Sequence, residues 1–135
     1  MDTPAQSVTP GAMMLELVML PVSDIDRSIE FYRDRVGFTL DVDVRPAPGV
    51  RVVQLTPPGS HCSISMTDGM GGTGMEPGSL RGLHLVVADM ESARGGLLER
   101  GVDMGPVQDL GGVLYSWFAD PDGNTWTLQH MPWRS

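Results

Sequence analysis

The sequence predicts an α+β protein built from two βαβββ modules, because one series of elements occurs twice along its 135 residues. Each half opens with an apolar strand, residues 14–22 or 82–88, that leads into an aspartate, Asp24 or Asp89. Each half closes with a turn rich in proline and glycine and one last apolar strand. A repeat of this kind fixes the order of the elements before any single residue is interpreted.

Both aspartates stand where a helix N-cap belongs, since a carboxylate there accepts the free amide hydrogens of the first turn. The helix after Asp24 is predicted to end at Gly37, a residue typical of helix C-caps, and the second helix is predicted over 89–100. The residues expected to point inward are Ile25, Ile29, Tyr32 and Val36 in the first helix, and Met90, Ala93, Leu97 and Leu98 in the second.

Three short strands are predicted after each helix, separated by turns. They are expected near 38–45, 50–56 and 61–66 in the first half, and near 102–107, 113–119 and 125–130 in the second. A helix on one face of each small sheet leaves the other face free, so two such units can set their free faces around a shared cleft.

Composition along the chain predicts the boundaries of the modules. Residues 1–13 are expected to form a flexible tail, 14–66 the first module and 81–135 the second. Between the modules, residues 67–80 contain five glycines. They are interpreted as a flexible linker or as a lid over a pocket, and the linker is the favoured interpretation.

The overall composition excludes several classes of protein. A net charge of −8 argues against nucleic acid or an anionic membrane as a partner. All nine basic residues are arginine, which removes lysine Schiff-base and P-loop chemistry. The single Cys62 can form no internal disulfide, and no run of about 20 apolar residues could span a membrane. Residues 1–14 lack the features of a secretory signal, so a cytoplasmic location is expected.

Two motifs carry a family resemblance. The first runs from Leu20 to Tyr32 and continues in Val36-Gly37-Phe38, and the second is Phe-Ala-Asp-Pro-Asp-Gly-Asn at 118–124. In the duplicated βαβββ order they resemble the vicinal oxygen chelate superfamily, which includes glyoxalase I, bleomycin-resistance proteins and extradiol dioxygenases. The resemblance covers residues 14–130 and implies a homodimer, as is common for relatives of this size. It leaves the activity open, because one fold hosts many functions.

The resemblance also implies where a metal ion would be held. In metal-dependent members the ligands come from the first and last strands of each half. The corresponding positions here are Leu17, Ser63, Gly82 and Thr127. None of them offers the imidazole or carboxylate that a divalent cation prefers, so neither a metal nor another cofactor is expected. A relocated site built on His61 and His84 is less favoured, because two neutral ligands without a carboxylate bind weakly.

Alternation along the strands selects further residues for the cleft, because side chains two positions apart share a face. If the four positions above face the cleft, so do Met19, His61, His84 and Gln129. Tyr115 and Trp117 alternate with Ser116 and Phe118, so one pair faces the cleft and the other the core. The Tyr and Trp pair is favoured for the cleft, with packing of both rings as an equal alternative.

The predicted site therefore combines candidate catalytic histidines with ligand-binding residues. The histidines are His61 and His84, and the binding residues are Met19, Ser63, Tyr115, Trp117, Thr127 and Gln129. The first hypothesis is a metal-independent protein that holds an apolar or aromatic small molecule, as bleomycin-resistance proteins sequester their drug. The alternative is an enzyme of the same family, an isomerase, cyclase, lyase or dioxygenase, with His84 or His61 as acid/base or relocated metal ligand. A third interpretation is a non-catalytic interaction module.

Overall fold

The computed structural model describes residues 8–134, and in them two helical segments and two four-stranded sheets. The predicted α+β class with two βαβββ modules is confirmed. Residues 1–7 of the predicted tail lie outside the described part, and residues 8–16 form neither strand nor helix. Within the described part, no helix has the length and apolar character needed to cross a membrane.

The two modules repeat each other in topology as well as in sequence. The first consists of β1 (Leu17–Met19), α1 (Ile25–Ile29) continued by a π-helical segment (Glu30–Val36), β2 (Thr39–Ala47), β3 (Val50–Thr56) and β4 (Ser63–Asp68). The second consists of β5 (Leu83–Val86), α2 (Met90–Glu99), β6 (Gln108–Leu110), β7 (Val113–Ala119) and β8 (Thr125–His130). The strand orders are β1-β4-β3-β2 and β5-β8-β7-β6, with the first and last strands of each module parallel.

Both helices begin at the predicted aspartates. The Oδ1 atoms of Asp24 and Asp89 each accept a backbone N–H of the first turn at 3.1 Å. The first helix ends at Gly37, whose φ of 99° lies in the left-handed region that glycine adopts without strain. The Gly37 amide donates to the Tyr32 carbonyl, which closes the last π-type turn.

The prediction of β6 over 102–107 is wrong, because β6 begins after this stretch. The carbonyl of Gly105 accepts hydrogen bonds from the side chains of Arg94, at 3.1 Å, and Ser116, at 2.9 Å. Pro106 has no N–H to donate to a strand ladder. The Gly105 carbonyl is therefore hydrogen-bonded by side chains and not by a strand partner.

Two smaller predictions are also wrong. The first strand is shorter than the predicted 14–22, and Pro21 near its expected end has no N–H for a ladder. In α2, the sequence pattern predicts that Leu98 points inward, but Leu98 is 46% exposed, whereas its neighbour Leu97 is buried. The inward face of this helix is accordingly narrower than the sequence pattern indicates.

A single hydrophobic core joins the two modules, and aromatic rings from both halves meet in it. Tyr32 and Trp126 have ring centroids 5.8 Å apart, and Phe31 and Phe118 have centroids 6.2 Å apart. Such rings bury large apolar areas and dominate the energetics of a core. The modules are thus joined through their helix-bearing sides, and the opposite faces of the sheets point away from the core.

A buried carboxylate hydrogen-bonds to both modules in this core. Asp120 is 5% exposed, and its Oδ1 accepts the three backbone N–H groups of residues 122–124 at 2.9–3.0 Å. Its Oδ2 accepts the Tyr32 hydroxyl and the Asn124 side-chain amide, each at 2.8 Å. The Trp126 indole N–H donates to the Tyr32 oxygen at 2.8 Å. Burial raises the pKa of Tyr32, and the Asp120 carboxylate raises it further, so the hydroxyl remains protonated.

The segment 67–80 is fixed to the core at its far end. The Leu80 amide donates to Asn124 Oδ1 at 3.0 Å. Gly78 has a φ of 81° and lies so close to the Asp122 carbonyl that a side chain there would overlap it. The segment therefore depends on glycine where it meets the turn that Asp120 holds.

Replacing Tyr32 with phenylalanine removes the buried hydroxyl and keeps the ring. We expect Tyr32→Phe to lower the free energy of unfolding by about 1–3 kcal/mol, because Asp120 loses a donor and Trp126 loses its acceptor. Tyr115→Phe, in the half-buried part of β7, is the matched control and should change this free energy by less than about 0.5 kcal/mol. Urea unfolding followed by circular dichroism measures both, and equal effects would contradict the role of the Tyr32 hydroxyl.

Candidate functional site

The second sheet has one face turned away from the core, which we call the open face. Side chains alternate along β7, so Phe118 is fully buried in the core while Trp117 is 53% exposed on the other side. The register places His84 beside Thr127, and Thr127 beside Trp117. The residues of the open face are His84, Val86, Gln108, Leu110, Val113, Tyr115, Trp117, Ala119, Thr125, Thr127 and Gln129.

A pocket of about 410 Å³ lies on this open face. Its lining residues are His84, Gln108, Leu110, Tyr115, Ser116, Trp117, Thr125 and Thr127. Two aromatic rings are combined here with hydroxyl, amide and imidazole groups, and none of these lining residues is an acid, an arginine or a lysine. Apolar surface with a few convergent polar groups is typical of a site for a small molecule.

The imidazole of His84 is held in one orientation by the backbone. Its Nδ1 lies 2.7 Å from the carbonyl oxygen of Gly82. Gly82 is itself fixed, because its amide donates to Thr125 Oγ1 at 2.8 Å, and its φ of 76° lies in the left-handed region that favours glycine. The imidazole also makes an edge contact with the Tyr115 ring, with centroids 6.5 Å apart. The Gly82 carbonyl and the Tyr115 ring thus hold the His84 imidazole from two sides.

The indole of Trp117 rests against the backbone of Gly105. A Cβ atom at position 105 would lie 2.7 Å from the indole Cδ1 and 2.8 Å from Cε2, closer than such atoms approach. The Gly105 amide also donates to the Trp117 carbonyl at 2.7 Å. Glycine at this position therefore provides the space in which the indole forms one wall of the pocket.

The structure divides the predicted site residues between the two sheets. Four of them line the pocket, namely His84, Tyr115, Trp117 and Thr127. Gln129 shares the open face with them but does not line the pocket. Met19 and Ser63 belong to the first sheet, and His61 lies in the exposed loop between β3 and β4. The pocket of one chain brings together only residues of the second sheet.

The first sheet has a polar cluster around Ser63. The Ser63 and Thr56 hydroxyl oxygens lie 2.7 Å apart, and the Thr56 hydroxyl also donates to the Asp41 carboxylate. Strand pairing places Leu17 directly beside Ser63, so apolar and hydroxyl groups adjoin on this face. Burial raises the pKa of the neighbouring Cys62 thiol, which makes it a poor nucleophile.

The side chains present do not fit a divalent metal ion. Leu17 and Gly82 offer no side-chain ligand, and the Ser63 hydroxyl is already hydrogen-bonded to Thr56. Between residues 8 and 134, no three side chains of His, Cys, Asp or Glu lie close enough together to hold a metal ion. Hard and borderline cations prefer carboxylate and imidazole donors, which this arrangement does not gather.

Four lining residues are not among the site residues predicted from sequence, namely Gln108, Leu110, Ser116 and Thr125. Thr125 lies two positions before Thr127 on the same strand, so alternation along β8 could have identified it. Gln108 and Leu110 depend on the true position of β6, for which the sequence has no local signal. Ser116 is buried beneath the pocket floor, where it bonds to the Gly105 carbonyl.

Two βαβββ modules with a pocket on the open face of a sheet define a protein of the glyoxalase-like class. The model of the Glyoxalase/Bleomycin resistance protein/Dioxygenase superfamily matches residues 15–128. The chain belongs to this superfamily, as the sequence motifs indicate. No protein with a curated function matches it.

Solved structures of other members are similar to the chain over nearly their whole length. TnmS3, an antibiotic binding protein from Streptomyces sp. CB03234, is 34% identical with a TM-score of 0.78, covering 90% of this chain and 98% of TnmS3. A glyoxalase/bleomycin resistance protein from the same organism is 36% identical with a TM-score of 0.73, covering 85% and 98%. A superfamily member from Sphaerobacter thermophilus DSM 20745 is 29% identical with a TM-score of 0.75, covering 89% and 98%.

Gly105→Ala tests whether this glycine positions the indole of Trp117. We expect the variant to shift the Trp117 indole N–H resonance in a ¹H–¹⁵N spectrum and to lower the free energy of unfolding by about 1–3 kcal/mol, because the new methyl group overlaps the ring. The matched control is Gly95→Ala in α2, where a Cβ meets no atom within 4 Å. The control should leave the resonance in place, and an unmoved Trp117 resonance in Gly105→Ala would disprove the contact.

Proposed function

We propose that this protein binds an aromatic small molecule in the pocket on the open face of the second sheet and sequesters it without converting it. The observation that carries the proposal is the lining of that pocket, where Tyr115 and Trp117 lie beside polar groups and no charged side chain. Aromatic rings supply large, rigid apolar contact area, while His84 and Thr127 are placed to orient a bound molecule.

The comparisons support binding as the function. TnmS3, 34% identical to this chain, is described as an antibiotic binding protein. A second relative, 36% identical, is described as a glyoxalase/bleomycin resistance protein. Similarity over 98% of both proteins favours a shared mode of action, so an antibiotic-like aromatic compound is the ligand that we propose, in the cytoplasm as the sequence predicts.

An enzyme remains the second candidate because of one observation. His84 places an imidazole in the pocket, and imidazole can act as a general acid or base without a metal. Its Nδ1, however, bonds to the carbonyl of Gly82 and not to a carboxylate, which would stabilise a developing imidazolium. This geometry favours orientation of a ligand over proton transfer, and recovery of the ligand unchanged after incubation distinguishes the two.

We also propose a homodimer in which the first sheet of one protomer covers the open face of the second sheet of its partner. The open face leaves apolar side chains uncovered in the single chain, Trp117 at 53% and Leu110 at 63% exposed. Such a pairing would bring Met19 and Ser63 of one protomer to the pocket of the other. It would therefore unite the two sets of predicted site residues that one chain keeps apart.

Trp117→Ala tests the binding proposal with a panel of two- and three-ring aromatic compounds that includes 2-naphthol. We expect the variant to bind 2-naphthol about tenfold more weakly, because truncation removes an aromatic contact of roughly 1.4 kcal/mol. Trp133→Ala removes another exposed tryptophan, outside the pocket, and should leave affinity unchanged. Calorimetry measures affinity, and mass spectrometry shows whether the ligand is recovered intact. Failure of the whole panel to bind, or equal losses in both variants, overturns the proposal.

Leu110→Arg tests the dimer. We expect the unmodified protein to sediment with about twice the 14.6 kDa mass of one chain. The Leu110→Arg variant should sediment as a monomer, because an arginine buried within an apolar interface is strongly disfavoured. Leu98→Arg, on the exposed side of α2, is the matched control and should remain dimeric. A monomeric unmodified protein at tens of micromolar would refute this assembly.

A further inference from the structure

The backbone determines which nitrogen of the His84 imidazole donates a hydrogen bond and which one accepts. His84 Nδ1 lies 2.7 Å from the Gly82 carbonyl oxygen. A carbonyl oxygen can only accept, so the proton of the neutral imidazole is on Nδ1. Nε2 then carries a lone pair and can only accept. Within the described residues Nε2 has no hydrogen-bond partner, since the other contact of the ring is its edge contact with Tyr115.

The surrounding backbone holds the ring in this state. The Gly82 amide donates to Thr125 Oγ1 at 2.8 Å, which fixes the peptide that carries the accepting carbonyl. Turning the imidazole over would place a ring carbon against the carbonyl of residue 82 and lose the hydrogen bond. The accepting Nε2 of His84 is therefore a stable property of the pocket, because the two orientations of the imidazole ring are not equivalent.

The lining residues that one chain supplies restrict the charge of a ligand. The lining contains no arginine or lysine, so a carboxylate or phosphate would find no cationic partner there. It contains no acidic residue either, so an organic cation gains no ion pair. Trp117 contributes the face of its ring, while its Nε1 is the indole atom nearest to Gly105. A neutral molecule with a flat apolar body suits these walls.

We infer that the ligand is a neutral hydroxylated aromatic compound, a phenol in the broad sense, that donates its hydroxyl hydrogen to His84 Nε2 while its rings contact Trp117 and Tyr115. The inference rests on the proposed binding function and specifies the chemistry of the ligand. An ether or ketone oxygen in the same place would set its lone pairs against the lone pair of Nε2. The pocket would therefore discriminate against such analogues of equal shape.

The experiment compares 2-naphthol with 2-methoxynaphthalene, which has the same rings and no hydroxyl hydrogen. The measured quantity is the ratio of their dissociation constants, determined by calorimetry for each variant. We expect His84→Phe to reduce the preference for 2-naphthol by about fivefold, because the variant keeps a flat ring and removes the acceptor. His84→Gln, whose amide oxygen still accepts, should retain part of the preference.

A second histidine provides the matched control. His130 also directs its Nδ1 at a backbone carbonyl, that of Val87 at 3.2 Å, but it does not line the pocket. His130→Phe should leave the preference unchanged. If both compounds bind and the preference is the same in His84→Phe as in the unmodified protein, the inference about the hydroxyl group is wrong and aromatic binding stands. If neither compound binds the unmodified protein, the inference and the binding proposal both fail.

Discussion

The buried carboxylate of Asp120 is the contact on which the rest of the structure depends. Its five hydrogen bonds close the turn between β7 and β8 and reach the Tyr32 hydroxyl in the other module. On the face that points away from the core, these two strands carry Trp117 and Thr127, and both residues line the pocket. Asp120 does not line the pocket, yet its hydrogen bonds fix the two strands that carry pocket-lining residues. Because buried carboxylates are costly unless fully hydrogen-bonded, this turn tolerates little variation.

The two modules have the same topology but different surroundings. Their helix-bearing sides share one core, in which Tyr32, Phe118 and Trp126 meet. The outward faces differ in chemistry, since the first sheet gathers hydroxyl groups around Ser63 and the second gathers aromatic rings around His84. Duplication therefore built a symmetric scaffold, and the side chains on its two outer faces break that symmetry. The aromatic pocket lies on the second of these faces.

The parts of the fold that could be predicted from sequence are those that local chemistry determines. The caps at Asp24 and Asp89 are examples, because each aspartate bonds to amides within its own first turn. The position of β6 could not be predicted, because it depends on side chains distant in sequence that occupy the Gly105 carbonyl. Alternation along β7 left two choices for Trp117, and packing of the core selected between them. Tertiary packing likewise decides which face of each sheet is buried in the core.

Two of the groups that shape the pocket have no side chain. Gly82 presents the carbonyl that orients His84, and Gly105 makes room for the indole of Trp117. Neither would be recognised by a scan that truncates side chains to alanine, since alanine adds an atom at both positions. Relatives with identical lining side chains could therefore differ in ligand preference through these glycines alone. Comparison of pockets across the superfamily should include the backbone positions behind the lining as well as the lining itself.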